Sequence, residues 1–206
     1  MSAVSLPKSS RIDGRRLRSA RTKQAIIEAY LMLLREGTQP PTAAQIAKRA
    51  GYSVRSVFER FADLHELRVA ATDHAFSLGT AKATEQDFGG DRRSRLDKHV
   101  RTRAWICEQW LPLWRSLNIN QGDSSDLRSR VLLIRQAILK RIELIYRPEL
   151  STLPEVERRH TMIAIESLID FECWARMRDD CGLSVEEAQE VWFEAIDRLL
   201  PPTPLS

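Results

Sequence analysis

Valine, arginine and serine follow one another at residues 54–56, in a short segment whose apolar residues recur at helical spacing. Val57 and Phe61 lie four residues apart and are predicted to point inward together, which leaves Arg55 on the outer face. An arginine guanidinium can donate two parallel hydrogen bonds to guanine O6 and N7, and a valine packs on the methyl group of thymine. These residues therefore have the chemistry to recognise base edges in DNA, with Ser56 reaching a base or a phosphate.

Two short helices joined by a glycine are predicted to present this face. Thr42 and Gln45 have the spacing of a capping box at the start of the first helix, and Gly51 ends it. Ser53 is suited to cap the second helix, and a longer helix over residues 19–37 would brace both. This arrangement is a helix-turn-helix, whose second helix enters the major groove. The alternative is an ordinary helical hairpin whose exposed arginines are only solvated.

The segment over residues 19–70 resembles the DNA-binding domain of the TetR family of transcriptional regulators. The resemblance is carried by Thr42, Ile46, Ala47, Ala50, Gly51, Ser53, Val57 and Phe61. It implies an all-helical homodimer that binds operator DNA through its N-terminal domain, most often as a repressor. It also implies release of the DNA when a small molecule enters the C-terminal domain.

Four positions depart from the pattern of that family. Tyr52 stands in place of a valine, and Phe58 replaces a tyrosine whose hydroxyl commonly contacts phosphate, so Tyr52 is a candidate for that contact. Leu64 stands where a lysine is frequent. Arg55 stands where a small residue is frequent, which strengthens guanine recognition or adds a phosphate contact. The residues predicted to contact DNA are Arg16, Arg18, Thr42, Tyr52, Ser53, Val54, Arg55, Ser56, Phe58 and Arg60.

The charge of the chain is divided unevenly along its length. Residues 1–70 hold 13 lysines and arginines against 6 acids, a net charge of +7, whereas the remaining 136 residues have a net charge of −3. A basic end on a mildly acidic body indicates that a polyanion binds at that end. We expect residues 1–18 to form a flexible basic arm that follows phosphates or enters a minor groove. A free basic tail is the alternative.

The rest of the chain shows helical patterns separated by glycines and prolines, and no pair of strands. The sequence therefore predicts an all-α fold of about nine helices. A three-helix helix-turn-helix domain is expected over residues 19–66, followed by a larger effector-binding and dimerisation domain over residues 67–206. Pro112 is expected to break or kink the chain at residues 111–114. Helices are placed near residues 64–83, 92–110, 127–146, 155–178 and 184–200.

The last two predicted helices are apolar around much of their circumference. A helix whose apolar band is too wide for one neighbour needs a second one. In the TetR family these two helices form a four-helix bundle with the same pair of a partner subunit, and a two-fold dimer predicts a palindromic operator. The alternative is that this surface is the core of one subunit. The predicted dimer interface comprises Ile165, Leu168, Ile169, Val191, Trp192, Ala195 and Leu199.

All five tryptophans lie outside the predicted helix-turn-helix domain, and three of them fall within ten residues. Aromatic side chains with a few polar neighbours are typical of pockets for apolar or aromatic small molecules. Packing in the core is the alternative for each of them. The side chains predicted to line an effector pocket are Trp105, Gln109, Trp110, Trp114, Asp170 and Trp174.

The sequence lacks motifs for catalysis, for a cofactor or for a membrane span. Glu157 and His160 match the Glu-x-x-His step of di-iron bundles, but such a site needs two of these steps. The three cysteines lack paired spacing, and no apolar run approaches the ~18 residues of a membrane helix. We therefore expect a cytoplasmic DNA-binding regulator, not an enzyme, without metal or cofactor. The rival interpretation is a helical small-molecule or protein-interaction module whose basic end binds an acidic partner other than operator DNA.

Overall fold

The computed structural model describes residues 9–37, 39–85, 89–120, 122 and 124–204. Within these residues the chain forms ten α-helices and one π-helical turn, without a β-strand, which confirms the predicted all-α fold. The chain divides into two compact units, Met1–His74 and Ala75–Ser206. The helices are α1 (Ser9–Glu36), α2 (Ala43–Ala50), α3 (Val54–Phe58), α4 (Leu64–Thr84), α5 (Arg92–Asn120), α6 (Ser125–Ile145), α7 (Arg147–Leu150), α8 (Glu155–Leu168), α9 (Phe171–Ala175) and α10 (Val185–Leu199), with the π-helical turn at Arg176–Asp180.

The first unit is built around a small apolar core shared by α1, α2 and α3. Helix α1 contributes Ile26 and Tyr30, α2 contributes Ile46, and the segment that begins with α3 contributes Val57 and Phe61, all of them buried. Helix α2 packs on both α1 and α3. The inward orientation predicted for Val57 and Phe61 is confirmed. The first long helix packs directly on α2, and α3 packs in turn on α2.

Helix α1 is longer than the sequence pattern indicated. It begins at Ser9, so residues 9–18 of the predicted flexible arm are helical, and residues 1–8 lie outside the described part of the chain. Arginine is a good helix former, and Gly14 costs only about 1 kcal/mol relative to alanine, so the basic segment continues the bracing helix. Arg16 and Arg18 are exposed on this extension.

Helix α5 continues through Pro112, so the predicted break at residues 111–114 does not occur. A proline within a helix removes a hydrogen bond and costs about 3 kcal/mol. Trp110, Leu113 and Trp114 on the flanking turns are buried in the core of the second unit. Burying large apolar side chains stabilises by about 1.5–3 kcal/mol each, which offsets the cost of the proline.

The single helix predicted over residues 155–178 is divided in the structure. Helix α8 ends at Leu168, and the Asp170 carboxylate accepts a hydrogen bond from the N–H of Glu172 at 2.9 Å, which caps α9. Aspartate is a preferred N-cap residue, and its side chain satisfies a free N–H at the start of a new helix. The apolar periodicity continues across this boundary and so did not reveal it.

Aromatic rings pack against one another in the core of the second unit. The ring centroids of Trp174 on α9 and Trp192 on α10 are 4.7 Å apart. Trp114 on α5 stacks on Phe171 with a centroid separation of 4.9 Å. The guanidinium of Arg103 lies 4.5 Å from the centroid of Phe171. These rings join α5, α9 and α10 into one core.

A buried ion pair lies in the same unit. Arg95 on α5 donates from both terminal nitrogens to the carboxylate of Glu149 on α7, at 2.6 and 2.9 Å, and also to the carbonyl of Ile145 at 2.5 Å. The Thr203 hydroxyl donates to Glu149 at 2.6 Å. Burial raises the pKa of Glu149, but the hydrogen bonds from Arg95 and Thr203 outweigh it and hold the pKa below its usual value. The pair thereby joins α5, α7 and the residues that follow α10.

His99 lies one turn beyond Arg95 on α5 and is also buried. Its Nδ1 is 2.8 Å from the hydroxyl of Tyr146. Burial, together with the positive charges of Arg141 and Arg103, lowers the pKa of His99 to about 3. The imidazole is therefore neutral in the folded protein near neutral pH.

Candidate nucleic-acid interface

Gly51 sets the turn between α2 and α3. Its φ is 75°, a left-handed conformation that costs residues with a Cβ about 1–2 kcal/mol. The N–H of Tyr52 donates to the carbonyl of Ala47 at 3.0 Å, and the N–H of Gly51 to that of Lys48 at 3.4 Å, which is a Schellman ending. Backbone hydrogen bonds thus fix the direction in which the chain enters α3.

Replacing Gly51 by alanine is expected to lower the free energy of unfolding by about 1–2 kcal/mol, because the positive φ disfavours any Cβ. The space around it is open, since an added Cβ meets no atom within 4 Å. Gly14 in α1 is the matched control with equally open space, and alanine there is expected to raise the free energy of unfolding by up to about 1 kcal/mol. Urea unfolding followed by far-ultraviolet circular dichroism measures both. Equal effects of the two substitutions would contradict the assigned turn.

Both short helices begin with a capping hydroxyl, as the sequence predicted. The Thr42 hydroxyl accepts the N–H of Gln45 at 3.3 Å, and the Gln45 carboxamide accepts the N–H of Thr42 at 2.8 Å. At the start of α3, the Ser53 hydroxyl accepts the N–H of Ser56 at 3.1 Å. Each cap stabilises its helix by about 1 kcal/mol. Thr42 and Ser53 therefore order the two helices that carry the other candidate contacts.

The surface of α3 combines exposed apolar and basic side chains. Tyr52, Val54 and Phe58 are 40%, 40% and 47% exposed. Arg55 has 89% of its side chain exposed. We call these four residues the outer face of α3, although Tyr52 lies just before the helix begins. Clustered exposed apolar side chains mark an interaction surface more often than scattered ones do.

Arg55 is paired with Glu59, one helical turn further along the chain. The Nε of Arg55 donates to Oε1 of Glu59 at 3.1 Å. Sequence analysis did not single out Glu59, although its spacing of four residues from Arg55 is the one at which helical side chains meet. That spacing is the signal that could have identified it.

The remaining candidate contacts differ in their exposure. Arg16 and Arg18 are exposed, whereas Ser56 is half-buried with its hydroxyl 2.9 Å from that of Ser53. Arg60 is also half-buried, and its Nη1 donates to the carbonyl of Glu59 at 3.4 Å. The residues predicted to contact DNA thus include exposed arginines on α1 and α3 as well as the half-buried Ser56 and Arg60.

A second ion pair that sequence analysis did not anticipate joins α1 to α2. Arg49 makes a two-pronged contact with the carboxylate of Glu36 at the end of α1. The hydrogen bond from Arg49 lowers the pKa of Glu36. Both terminal nitrogens of Arg49 are therefore engaged within the protein.

The side chains predicted to line an effector pocket occupy different environments. Trp110, Trp114 and Trp174 are buried, whereas Trp105 is exposed. Trp174 donates from its indole nitrogen to Glu108 at 2.8 Å. Gln109 is half-buried, and Asp170 caps α9. The structure thus favours the packing interpretation for Trp114 and Trp174, whose rings pack on Phe171 and Trp192 within the core.

A wide groove is present between the start of α5 and α10 in the same unit. Its volume is about 940 Å³. Charged side chains dominate its lining, which differs from the aromatic pocket expected from the sequence. Its lining includes Asp91, Arg93, Asp97, Glu186, Glu190 and Phe193.

The predicted dimer residues divide between the core and the surface. Ile165, Ile169 and Trp192 are completely or almost completely buried within the single chain, so they belong to its core, as the alternative interpretation held. Leu168 and Ala195 are half-buried. Four large apolar side chains on α8 and α10 remain exposed. They are Val156, Ile163, Val191 and Leu199, and we call them the exposed apolar face of α8 and α10.

The described residues contain no group of three or more His, Cys, Asp and Glu side chains placed to hold a metal ion. Glu157 and His160, which have the spacing of a di-iron step, are both exposed on α8. No helix in the described part of the chain is both long enough and apolar enough to cross a membrane.

No protein-family model matches the chain, and no curated protein matches it in sequence. Solved structures do resemble it. A Rhodococcus sp. protein assigned to the TetR family of transcriptional regulators has a TM-score of 0.67 at 19% sequence identity, over 88% of this chain and 100% of that one. A TetR-family regulator from Streptomyces coelicolor has a TM-score of 0.73 at 18% identity, over 87% of this chain and 80% of that one.

A third similar structure is that of the multidrug binding protein EbrR in complex with imidazole. Its TM-score is 0.58 at 16% sequence identity, over 89% of this chain and 97% of that one. The three likenesses extend over both units of the chain. The chain therefore has the fold of TetR-family transcriptional regulators, as its sequence motif indicated.

Proposed function

We propose that the chain is a TetR-family transcriptional regulator that binds operator DNA as a homodimer and represses transcription until a small molecule releases it. The outer face of α3 carries this proposal, because it presents Arg55 together with the exposed side chains of Val54 and Phe58 on a helix that packs on α2, and with Tyr52 just before that helix. A helix presented in this way enters the major groove. The net charge of +7 over residues 1–70 favours the approach of a polyanion.

Each side chain of the outer face has a distinct role in the proposed complex. Arg55 binds a guanine, and Val54 packs on a thymine methyl group. The Tyr52 hydroxyl supplies a phosphate contact, because Phe58 at the end of α3 has no hydroxyl group. Arg16 and Arg18 follow phosphates beside the major groove. Phosphate contacts add affinity for any duplex, whereas base contacts discriminate among sequences.

The exposed apolar face of α8 and α10 is the proposed dimer interface. Val191 and Leu199 lie on one face of α10, and Val156 and Ile163 lie on α8, which packs against α10. Joining this face to its copy by a two-fold axis would remove all four side chains from water. Two recognition helices about 34 Å apart then require a palindromic operator.

The effector is proposed to be a small organic molecule that binds the second unit. EbrR, which has the same fold, is a multidrug binding protein seen with imidazole. An effector releases DNA only if it binds more tightly to the form that DNA does not select. The expected weakening of DNA binding is roughly 5- to 150-fold, the usual range of allosteric coupling.

Selection of bound fragments from a random pool of duplexes tests the proposed function. A recovered palindrome would establish sequence-specific binding and two-fold symmetry together. The site should be preferred over scrambled duplexes by at least about a thousandfold. Recovery of no consensus, with equal binding to DNA and to acidic polymers, would favour the rival module with another acidic partner.

Arg55→Ala and Arg18→Ala are expected to weaken DNA binding in different ways. Loss of Arg55 should reduce discrimination at one base pair by about 1–3 kcal/mol, because a two-pronged contact to guanine is removed. Loss of Arg18 should weaken all duplexes alike and reduce the salt slope by about 1, because a phosphate contact is removed. Fluorescence anisotropy with selected and scrambled duplexes at several salt concentrations measures both effects.

The matched control is Arg128→Ala, which removes an exposed arginine from α6 in the second unit. It should change neither discrimination nor the salt slope. If the Arg55 variant discriminates as well as the parent protein, Arg55 has no part in base recognition.

A further inference from the structure

The ion pair on α3 leaves one edge of Arg55 available. Only the Nε of Arg55 is bonded to Glu59, and no other described residue accepts a hydrogen bond from its two terminal nitrogens. Arg55 has 89% of its side chain exposed and Glu59 has 48%, so both groups meet solvent at the outer face of α3. The terminal nitrogens are the ones that can bind guanine O6 and N7 end-on.

An unpaired arginine on a helix surface has a long side chain with many rotamers. It can bind a base, but it can also bind a phosphate of any duplex, because phosphate oxygens accept the same fork of N–H groups. The hydrogen bond from Nε to Glu59 limits these rotamers before DNA is bound, which reduces the entropy lost on binding. The pair thereby favours a single orientation of the guanidinium.

The carboxylate of Glu59 adds a second effect through its negative charge. A carboxylate beside Arg55 repels nearby phosphates and so opposes a phosphate contact by this arginine. A base edge has no net charge and is not repelled in this way. Specificity rises when the wrong complexes are weakened as well as when the right one is strengthened.

We propose that Glu59 is a specificity-determining positioning residue that directs Arg55 to a guanine and keeps it from phosphate. This inference rests on the proposed DNA-binding function and goes beyond it, since it assigns a role to a residue that contacts no base. It also decides between the two roles that the sequence left open for Arg55, namely guanine recognition and a phosphate contact.

The test compares Glu59→Ala and Glu59→Gln with the parent protein on the selected duplex, on duplexes altered at the guanine position and on a scrambled duplex. The alanine variant is expected to lose about fivefold or more of the preference for guanine, because Arg55 is no longer oriented. Its binding to the scrambled duplex should strengthen, and its salt slope should steepen by about 1 as Arg55 reaches a phosphate. Glutamine keeps an acceptor oxygen for Nε and should retain more of the guanine preference than alanine does.

Two controls separate this role from general effects of charge and stability. Glu143→Ala removes a carboxylate from another exposed ion pair, with Lys140 on α6, and should change neither the preference nor the slope. In an Arg55→Ala background, removal of Glu59 should affect every duplex equally. Exposed pairs of this kind contribute little to folding, so the melting temperature of the Glu59 variants should stay close to that of the parent.

The outcomes distinguish the inference from the function on which it rests. If the parent selects its site but the alanine variant keeps the same guanine preference and salt slope, Glu59 is not a positioning residue. If Glu59→Ala and Glu59→Gln lose the guanine preference equally, the hydrogen bond from Arg55 to Glu59 does not position Arg55. If the parent itself shows no preference among duplexes, the proposed function fails instead.

Discussion

Replacing Val191 and Leu199 together by aspartate is expected to convert the proposed dimer into a monomer. These side chains are 45% and 42% exposed on α10, and the proposed interface would bury them. Two carboxylates on each subunit would then lie in an apolar interface without partners, which costs several kcal/mol for each buried charge. Sedimentation equilibrium measures the molecular mass directly.

Loss of the dimer should also weaken binding to a palindromic operator by about 10²- to 10⁴-fold. A dimer binds its second half-site at the high effective concentration set by the first, and a monomer lacks this advantage. Affinity for a single half-site should change little, because α3 lies in the other compact unit of the chain. The ratio of affinities for whole and half operators therefore reports the role of the interface.

The matched control for this variant is Leu132→Asp with Leu133→Asp. Both leucines are exposed on α6, at 57% and 51%, and neither belongs to the proposed interface. This control should remain dimeric and bind the operator as the parent does. A dimer that persists in the Val191 and Leu199 variant would place the interface elsewhere.

Glu149→Ala is expected to lower the free energy of unfolding by about 3–5 kcal/mol, because it leaves the buried guanidinium of Arg95 without its counter-charge. Arg95 and Glu149 are 5% and 0% exposed, so water cannot replace the lost partner without rearrangement. The hydroxyl of Thr203 also loses its acceptor. Urea unfolding of the parent and the variant gives the free energy of unfolding of each from its midpoint and slope, and the two values are then compared.

Two companion variants show whether burial causes this effect. Replacing Arg95 by methionine and Glu149 by leucine removes both charges, and this double variant should be far more stable than Glu149→Ala. Asp97→Ala breaks the exposed pair with Arg101 and should cost no more than about 1 kcal/mol. If Asp97→Ala and Glu149→Ala lower the free energy of unfolding equally, the role assigned to the buried pair is contradicted.

The contribution of Glu149 has a defined dependence on pH. Its pKa is lowered in the folded protein, so the unfolded chain binds the proton more readily. The stabilisation is therefore fully present above the ordinary carboxyl pKa of about 4.3 and is lost as pH falls through the lowered value. The stability difference between the parent and Glu149→Ala should accordingly narrow under acidic conditions.

The sequence alone determined the parts of the first unit that depend on near neighbours. Thr42 with Gln45, Gly51, and Ser53 each act through hydrogen bonds or backbone angles within about five residues, so their identities and spacing predicted both short helices and the turn. The inward pair Val57 and Phe61 followed from helical periodicity in the same way. The all-α fold class followed from the same local patterns along the rest of the chain.

Tertiary structure decided the features that depend on contacts between distant parts of the chain. Burial of Trp110 and Trp114 carries α5 through Pro112, and a core shared by α5, α9 and α10 encloses Trp174. The pair of Arg95 and Glu149 joins residues 54 positions apart, which no local pattern can indicate.

The same distinction explains the division of the predicted dimer residues. Ile165, Ile169 and Trp192 have the apolar character of an interface but are buried in the core, whereas Val191 and Leu199 remain exposed. Apolar periodicity shows that a helix face avoids water. Which neighbour covers that face is settled only when the helices pack, because burial is a property of the assembled surfaces and not of one segment.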